Sequence, residues 1–251
     1  MATLNEATST KKTSSKANGA LDVDDALTRS EAFFIKHKKS ILGVVAGIIV
    51  IVALGFYLVN DKKKTEAQAQ TYITQGAQYM AQKEYDKALN GEGKYIGYLK
   101  VIKKYSSIVP FMSTDASNIA KMCAGLCYAK KGDMKNAIKY LEDFSPKGDQ
   151  TLSAQGLAAL ANCYASNKQA DKAVETFKKA ASKADNGSLS PLYLMEAGKI
   201  LESQNKKAEA LELYTQVKEN YPSSFYSALQ PTQDGSLSDA LIDRYIERVS
   251  K

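Results

Sequence analysis

The sequence has very little of the chemistry on which most enzymes depend. A single histidine, His37, occurs among 251 residues, and tryptophan is absent. The three cysteines include no CxxC pair and no accompanying histidine, which excludes a zinc finger and a thioredoxin-like motif. No nucleophile motif or glycine-rich phosphate loop is present either. We therefore expect no catalytic residue, no metal site and no cofactor, and we predict that the protein is not an enzyme.

Proline is scarce too, with five residues, whereas alanine and lysine are plentiful. This composition favours helix over sheet and predicts an all-α fold. The formal net charge of +7 at first suggests a nucleic-acid partner. Much of the excess lies before residue 65, however, and the remainder of the chain is nearly balanced in charge. We therefore expect no nucleic-acid binding.

The longest apolar segment is ILGVVAGIIVIVALGFYLV, residues 41–59, which contains no ionisable side chain. At 1.5 Å per residue this segment spans roughly 30 Å, the thickness of the hydrocarbon core of a bilayer. A cleaved signal peptide is the alternative, but about forty residues precede the segment and it exceeds the usual length of a signal-peptide core. No cysteine follows it closely, so we expect no lipid modification there. The sequence predicts a single transmembrane helix over 41–59.

Basic residues flank this segment on both sides. The predicted headgroup contacts are Lys36, Lys38, Lys39, Lys62, Lys63 and Lys64. Basic residues are slightly more numerous before the segment than after it, which favours a cytoplasmic N-terminus and a translocated C-terminal domain. Gly43 and Gly47 form a GxxxG pair through which two such helices could associate as a homodimer, although glycine is common in membrane helices.

The rest of the chain divides by composition. Residues 1–28 are rich in Ser, Thr, Lys and Ala and are predicted to be a disordered cytoplasmic tail. Residues 29–64 form the anchor with its flanks, and residues 65–225 form a domain of about four repeats. Residues 226–251 comprise a linker and an amphipathic helix, which is predicted to cap the hydrophobic end of the repeats.

Four segments after the anchor share one pattern of small and large residues. In AGLCYAKKGDMKNAIKYL, Gly125 and Tyr128 lie on one predicted helix and Ala137 and Leu141 on the next, with a turn at Gly132. The corresponding residues of the other copies are Gly76, Tyr79 and Ala88; Ala161, Tyr164, Ala173 and Phe177; and Gly198, Leu201, Ala210 and Tyr214. Small residues let two antiparallel helices cross closely, and the large ones fill the space between neighbouring pairs.

The first copy departs from this regularity. Its alanine, Ala88, precedes the next one by 49 residues, whereas the later spacings are 36 and 37. Gly91 and Gly93 interrupt its second helix before a helical stripe resumes at Tyr98. The residue that takes the aromatic position of this copy is therefore left open.

The pattern closely resembles the tetratricopeptide repeat. The resemblance implies a helical-hairpin solenoid in which the first helix of each repeat lines an inner wall that binds a peptide or helix of a partner protein. The inward positions of the family fall on Ile73, Met80, Ile119, Met122, Leu126, Lys130, Asn162, Leu192, Met195 and Lys199. The alternative for any one of them is packing against a neighbouring helix.

One membrane helix followed by four such repeats resembles the periplasmic ancillary subunit of the bacterial Sec translocon. This resemblance implies a single-pass protein of the inner membrane whose repeat domain lies in the periplasm. Its partners would be translocon subunits, a periplasmic chaperone or exported clients, and its function that of an adaptor or chaperone-like module. The alternative is a scaffold for an envelope assembly machine, such as outer-membrane protein insertion or cell-wall remodelling.

Overall fold

The computed structural model describes residues 23–106, 115–146, 149–231 and 237–251. These residues form two units, one up to Val59 and one from Asn60 onward. The helices are α1 (Val23–Ala81), α2 (Tyr85–Asn90), α3 (Tyr98–Tyr105), α4 (Asp115–Lys130), α5 (Met134–Glu142), α6 (Gln150–Ser166), α7 (Ala170–Ala184), α8 (Leu189–Ser203), α9 (Lys207–Asn220) and α10 (Leu241–Ser250). A two-residue strand pair, β1 (Gln230–Pro231) and β2 (Leu237–Ser238), interrupts this helical architecture.

The first unit is helical from residue 23 onward and contains the predicted membrane segment. Residues 23–28, which the sequence assigns to a disordered tail, begin α1, and the rest of that tail lies outside the described residues. The part of α1 around residues 41–59 is long and apolar enough to cross a membrane. Among the described side chains of residues 41–59, the exposed large apolar ones have 46–75% of their surface accessible. Soluble proteins rarely leave so large an apolar surface in water.

The second unit is built from consecutive helix pairs, each joined by a short turn. The last turns of α1 pair with α2 and α3, and the later pairs are α4 with α5, α6 with α7, and α8 with α9. We call these pairs the first to fourth repeats. In the order of the chain, each pair packs against the next, as expected of a solenoid.

Close helix crossings hold each pair together at the small residues that the sequence pattern marks. A Cβ at Gly125 would lie 2.5 Å from Leu141 Cγ, and one at Gly198 would lie 2.9 Å from Tyr214 Cζ. Both distances are well below van der Waals contact, so only glycine permits these crossings. Leu141 and Tyr214 are buried against the glycine backbone, and Phe177 is buried at the equivalent place in the third repeat.

The insertion in the first repeat preserves the same crossing. Helix α2 ends at Asn90, and residues 91–97 form a tight loop closed by the backbone pairing of Glu92 with Tyr95. The loop leads into α3, where Tyr98 is fully buried against Gly76. A Cβ at Gly76 would lie 2.6 Å from Tyr98 Cε1. Tyr98 therefore takes the aromatic position that the sequence leaves open.

Helix α10 covers the last repeat, where the sequence places a cap. Ile242 and Val249 are buried in the same core as Tyr214, and the Tyr245 ring lies 5.2 Å from the Tyr214 ring. Arg248 forms an ion pair with Glu202 of α8. Both apolar contact and charge pairing thus join the cap to the fourth repeat.

Candidate protein-binding surface

The first helix of each repeat carries a row of accessible side chains. We number the positions of each repeat so that its small residue at the helix crossing, namely Gly76, Gly125, Ala161 or Gly198, is position eight. The row occupies positions two, six, nine and thirteen. We call it the first-helix stripe, and none of its members is buried. It consists of Gln70, Thr74, Ala77 and Ala81; Ile119, Cys123, Leu126 and Lys130; Gln155, Ala159, Asn162 and Ser166; and Leu192, Glu196, Lys199 and Ser203.

Helical geometry explains why these positions share one face. At 3.6 residues per turn, steps of four, three and four residues return to nearly the same side of a helix. The first helices of the second and third repeats, α4 and α6, also touch each other directly. The rows of the second and third repeats therefore adjoin.

Two of the predicted wall residues are wrong. Met195 has no exposed surface, and Met122 is only 7% exposed. Both occupy the fifth position, which lies roughly 70° around the helix from the stripe. Met122 packs with Leu141 and Phe144 in the core of the second repeat, so neither methionine can contact a partner in this structure.

The other predicted wall residues fall into two groups. Ile73 and Met80 are half-buried and pack around Tyr98, and the Tyr98 hydroxyl donates to the Ile73 carbonyl at 3.4 Å. The remaining six belong to the first-helix stripe: Ile119, Leu126, Lys130, Asn162, Leu192 and Lys199. The family positions therefore identify part of the exposed row. They miss all four members in the first repeat, the sixth-position members of the other repeats, and Gln155, Ser166 and Ser203.

Charge is sparse on the first-helix stripe. Helix α6 contains no Asp, Glu, Lys, Arg or His residue. In the fourth repeat, Lys199 Nζ donates to Glu196 Oε1 at 2.7 Å, so these two charges neutralise each other. Burial disfavours the charge of Lys199, but the hydrogen bond and charge attraction to Glu196, together with the nearby Tyr245 and Tyr226, outweigh it and raise the lysine pKa. Lys130 is the one stripe charge for which the described residues show no such pairing.

The chemistry of the stripe is that of amides, hydroxyls and small apolar groups. Gln155 and Asn162 are exposed on α6 and can both donate to and accept from a peptide backbone. Ile119, Cys123 and Leu126 offer a half-buried apolar surface beside them. Such a surface can hold a polypeptide segment without requiring charge on that segment.

The second helices present the opposite chemistry. Helix α7 alone carries Lys172, Glu175, Lys178, Lys179 and Lys183. Exposed and well-solvated charges of this kind keep a repeat array soluble and weakly adhesive. The first-helix stripe therefore differs from the second helices in carrying few charges.

Two of the three cysteines, Cys127 and Cys163, are structural residues of the core. Cys127 has no exposed surface and Cys163 is 3% exposed, and they occupy the same position in adjacent repeats. Burial raises the pKa of the Cys127 thiol to about 12 and also raises that of Cys163. A thiol of high pKa is a poor nucleophile at neutral pH because little thiolate is present.

Comparison with known families agrees with the repeat architecture. Tetratricopeptide repeat models match residues 124–144, 154–182 and 193–224, which correspond to the second, third and fourth repeats. A search of curated proteins found no match. The helix pair of the first repeat lies outside these matches, where the inserted loop breaks the usual spacing. Residues 124–224 are therefore an array of tetratricopeptide repeats, a class of domain that generally binds proteins.

Proposed function

We propose that this protein is a membrane-anchored adaptor that binds protein partners through the first-helix stripe. The observation that supports it is the presence, in one chain, of an exposed apolar helical segment at 41–59 and a tetratricopeptide repeat array. Burying apolar side chains in a bilayer removes the cost of exposing them, at about 25 cal/mol per Å². The anchor would keep the stripe at a membrane surface.

The proposed setting is the bacterial inner membrane, with the N-terminus cytoplasmic and the repeats periplasmic. The slight excess of basic residues before the apolar segment and the resemblance to the Sec ancillary subunit support this orientation. In that setting the adaptor assists export by holding a translocon subunit, a chaperone or an emerging client. A stripe with few charges suits clients of varied sequence, because peptide backbones and apolar side chains are common to all of them.

We also propose that the protein carries out no chemistry of its own. Its single histidine, His37, lies outside the repeats, beside the apolar segment. The buried thiol of Cys127 has a raised pKa and is therefore a poor nucleophile. Binding by the repeats and retention by the anchor are sufficient for an adaptor.

The decisive experiment is photocrosslinking from the stripe in intact membranes. A photoreactive phenylalanine analogue replaces Asn162 or Leu192, both exposed on first helices, and the matched control replaces Lys178, exposed on the second helix α7. Adducts are identified by mass spectrometry. We expect protein adducts from the two stripe positions and few from the control position.

The identity of the adducts separates the alternatives. Translocon subunits, a periplasmic chaperone or many exported proteins would support the export adaptor. A single envelope assembly complex would instead support the scaffold, and an adduct with a second copy of the chain would indicate the homodimer that Gly43 and Gly47 allow. Equal labelling from Asn162 and Lys178 would refute the stripe as the binding surface.

A further inference from the structure

Helix α3 is amphipathic, and its outer face is entirely basic. Tyr98, Val101 and Tyr105 are buried, whereas Lys100, Lys103 and Lys104 are exposed. The three lysines are three and four residues apart, so they lie on one side of the helix. Lys104 Nζ also lies 5.0 Å from the centre of the Tyr105 ring. The face therefore presents three ammonium groups within about one turn of helix.

The carboxylates of the first repeat are engaged elsewhere. Glu84 and Glu92 pair with Lys87, and Asp86 pairs with Lys131 of the second repeat. Glu66 accepts hydrogen bonds from the backbone of Asp115 and Ala116 at the start of α4, at 2.8 and 2.9 Å. These four are all the acidic residues between 65 and 106. The α3 lysines therefore have no carboxylate of their own repeat to neutralise them.

The basic face belongs to the first repeat, which follows the apolar segment in sequence. Helix α3 runs antiparallel to α1, because Tyr98 contacts Ile73 and Met80 while the Tyr105 ring lies 6.3 Å from the Tyr72 ring. Tyr72 follows Asn60 by twelve residues, which is about 18 Å along a helix. Exposed Lys63 and Lys64 lie within that interval.

We propose that Lys100, Lys103 and Lys104, together with Lys63 and Lys64, bind the anionic phosphate headgroups of the bilayer that holds the anchor. This inference rests on the proposed membrane anchor, because Asn60 directly follows the apolar segment in sequence. Lysine binds phosphate as a point charge on a flexible stem, which suits a fluid surface of headgroups. Each lysine near an anionic surface contributes roughly a five-fold gain in affinity.

The test uses the full chain in lipid nanodiscs of phosphatidylcholine alone or mixed with phosphatidylglycerol. Lysines are acetylated with an amine-reactive reagent, and the rate at each site is read by peptide mass spectrometry. We expect Lys103 and Lys104 to react several-fold more slowly in anionic discs, with the difference abolished by high salt. Lys178, exposed on α7, serves as the internal control and should react equally in both. Equal rates for Lys103 in both discs would overturn the proposal.

A second measurement separates this proposal from the anchor. If the chain fails to enter discs of neutral lipid, the proposed membrane anchor is refuted, but the proposed binding of headgroups by the α3 lysines is not. The same full chain is then mixed with phosphatidylglycerol vesicles, and its binding is compared with that of a Lys100→Gln, Lys103→Gln, Lys104→Gln variant. We expect the variant to bind at least about ten-fold more weakly.

The matched control removes the same charge from the third and fourth repeats, where Lys168→Gln, Lys178→Gln and Lys207→Gln change exposed lysines. Its vesicle binding should stay within about two-fold of the unmodified chain. An equal loss in both triple variants would show a dependence on net charge alone and refute the α3 face. Protection of Lys103 in native membranes but not in purified discs would assign the face to an acidic protein and overturn the lipid proposal.

Discussion

Replacement of Gly97 by alanine tests whether the inserted loop fixes the first repeat. Gly97 precedes α3 with φ 77° and ψ 153°, a conformation almost restricted to glycine. A Cβ there would lie 2.5 Å from the Leu89 backbone oxygen and would overlap the backbone of Asn90 and Gly91. These are backbone atoms of a closed loop, so they cannot move aside as the end of a flexible side chain could.

The expected cost follows from two terms. The backbone conformation costs about 1–3 kcal/mol for a residue with a Cβ, and the overlap adds about 1–3 kcal/mol. Gly93 provides the matched control in the same loop, because its φ is 58° but a Cβ there would meet no atom within 4 Å. Gly93→Ala should cost about 1–2 kcal/mol for the left-handed conformation, offset by about 0.4–1 kcal/mol from the restricted unfolded chain.

Hydrogen exchange of the detergent-solubilised full chain, read by mass spectrometry, is the appropriate assay. Repeat stability is largely a sum of nearest-neighbour terms, so damage in the first repeat should remain local. Gly97→Ala should accelerate exchange in α3 (Tyr98–Tyr105) far more than Gly93→Ala does, while α9 stays unchanged in both. Equal exchange of α3 in the two variants would refute the steric account of the loop.

Two further predictions concern ionisation. The hydrogen bond from Arg248 lowers the pKa of Glu202 below its ordinary 4.5, so the stability that this carboxylate contributes is present above pH 4.5 and is lost as the pH falls through the lowered value. Glu202→Gln should therefore weaken the dependence of the urea unfolding midpoint on acid pH. The control Glu212→Gln, at an exposed glutamate, should leave that dependence unchanged. Identical acid dependence in the two variants would contradict a stabilising Glu202–Arg248 pair. Burial raises the pKa of Cys127 from 9.0 to about 12. Maleimide labelling at Cys127, read by peptide mass spectrometry, should therefore be much slower in the native chain at neutral pH than in urea, and comparable rates at this site would contradict its burial.

Family positions alone did not identify which first-helix side chains are accessible. They place Met122 and Met195 on the inner wall because both occupy the fifth position of a first helix. In this chain both side chains at that position are buried in the core. The four-three-four spacing of the exposed row is visible in the sequence and could have indicated which positions are accessible. Whether a large apolar residue at the edge of that row is buried depends on the space that the neighbouring helix leaves.

The insertion in the first repeat shows that the backbone path, too, could not be predicted from the sequence alone. Gly91 and Gly93 mark a break in the sequence, but the length of the break does not reveal which aromatic residue resumes the crossing. The loop closes through Glu92 and Tyr95, and this closure sets Tyr98 against Gly76. A contact between residues far apart in sequence is decided by the loop that joins them.

Sequence by itself determined the features that depend on local pattern. The apolar segment at 41–59, the helical pairs and the close crossings at Gly125 and Gly198 all follow from composition and spacing, because helix formation and small-residue crossings obey short periodicities. Only the tertiary structure decided which first-helix side chains stay accessible, how the carboxylates of the first repeat are used and where the α3 lysines lie. Those features depend on contacts between separate helices, which no local pattern specifies.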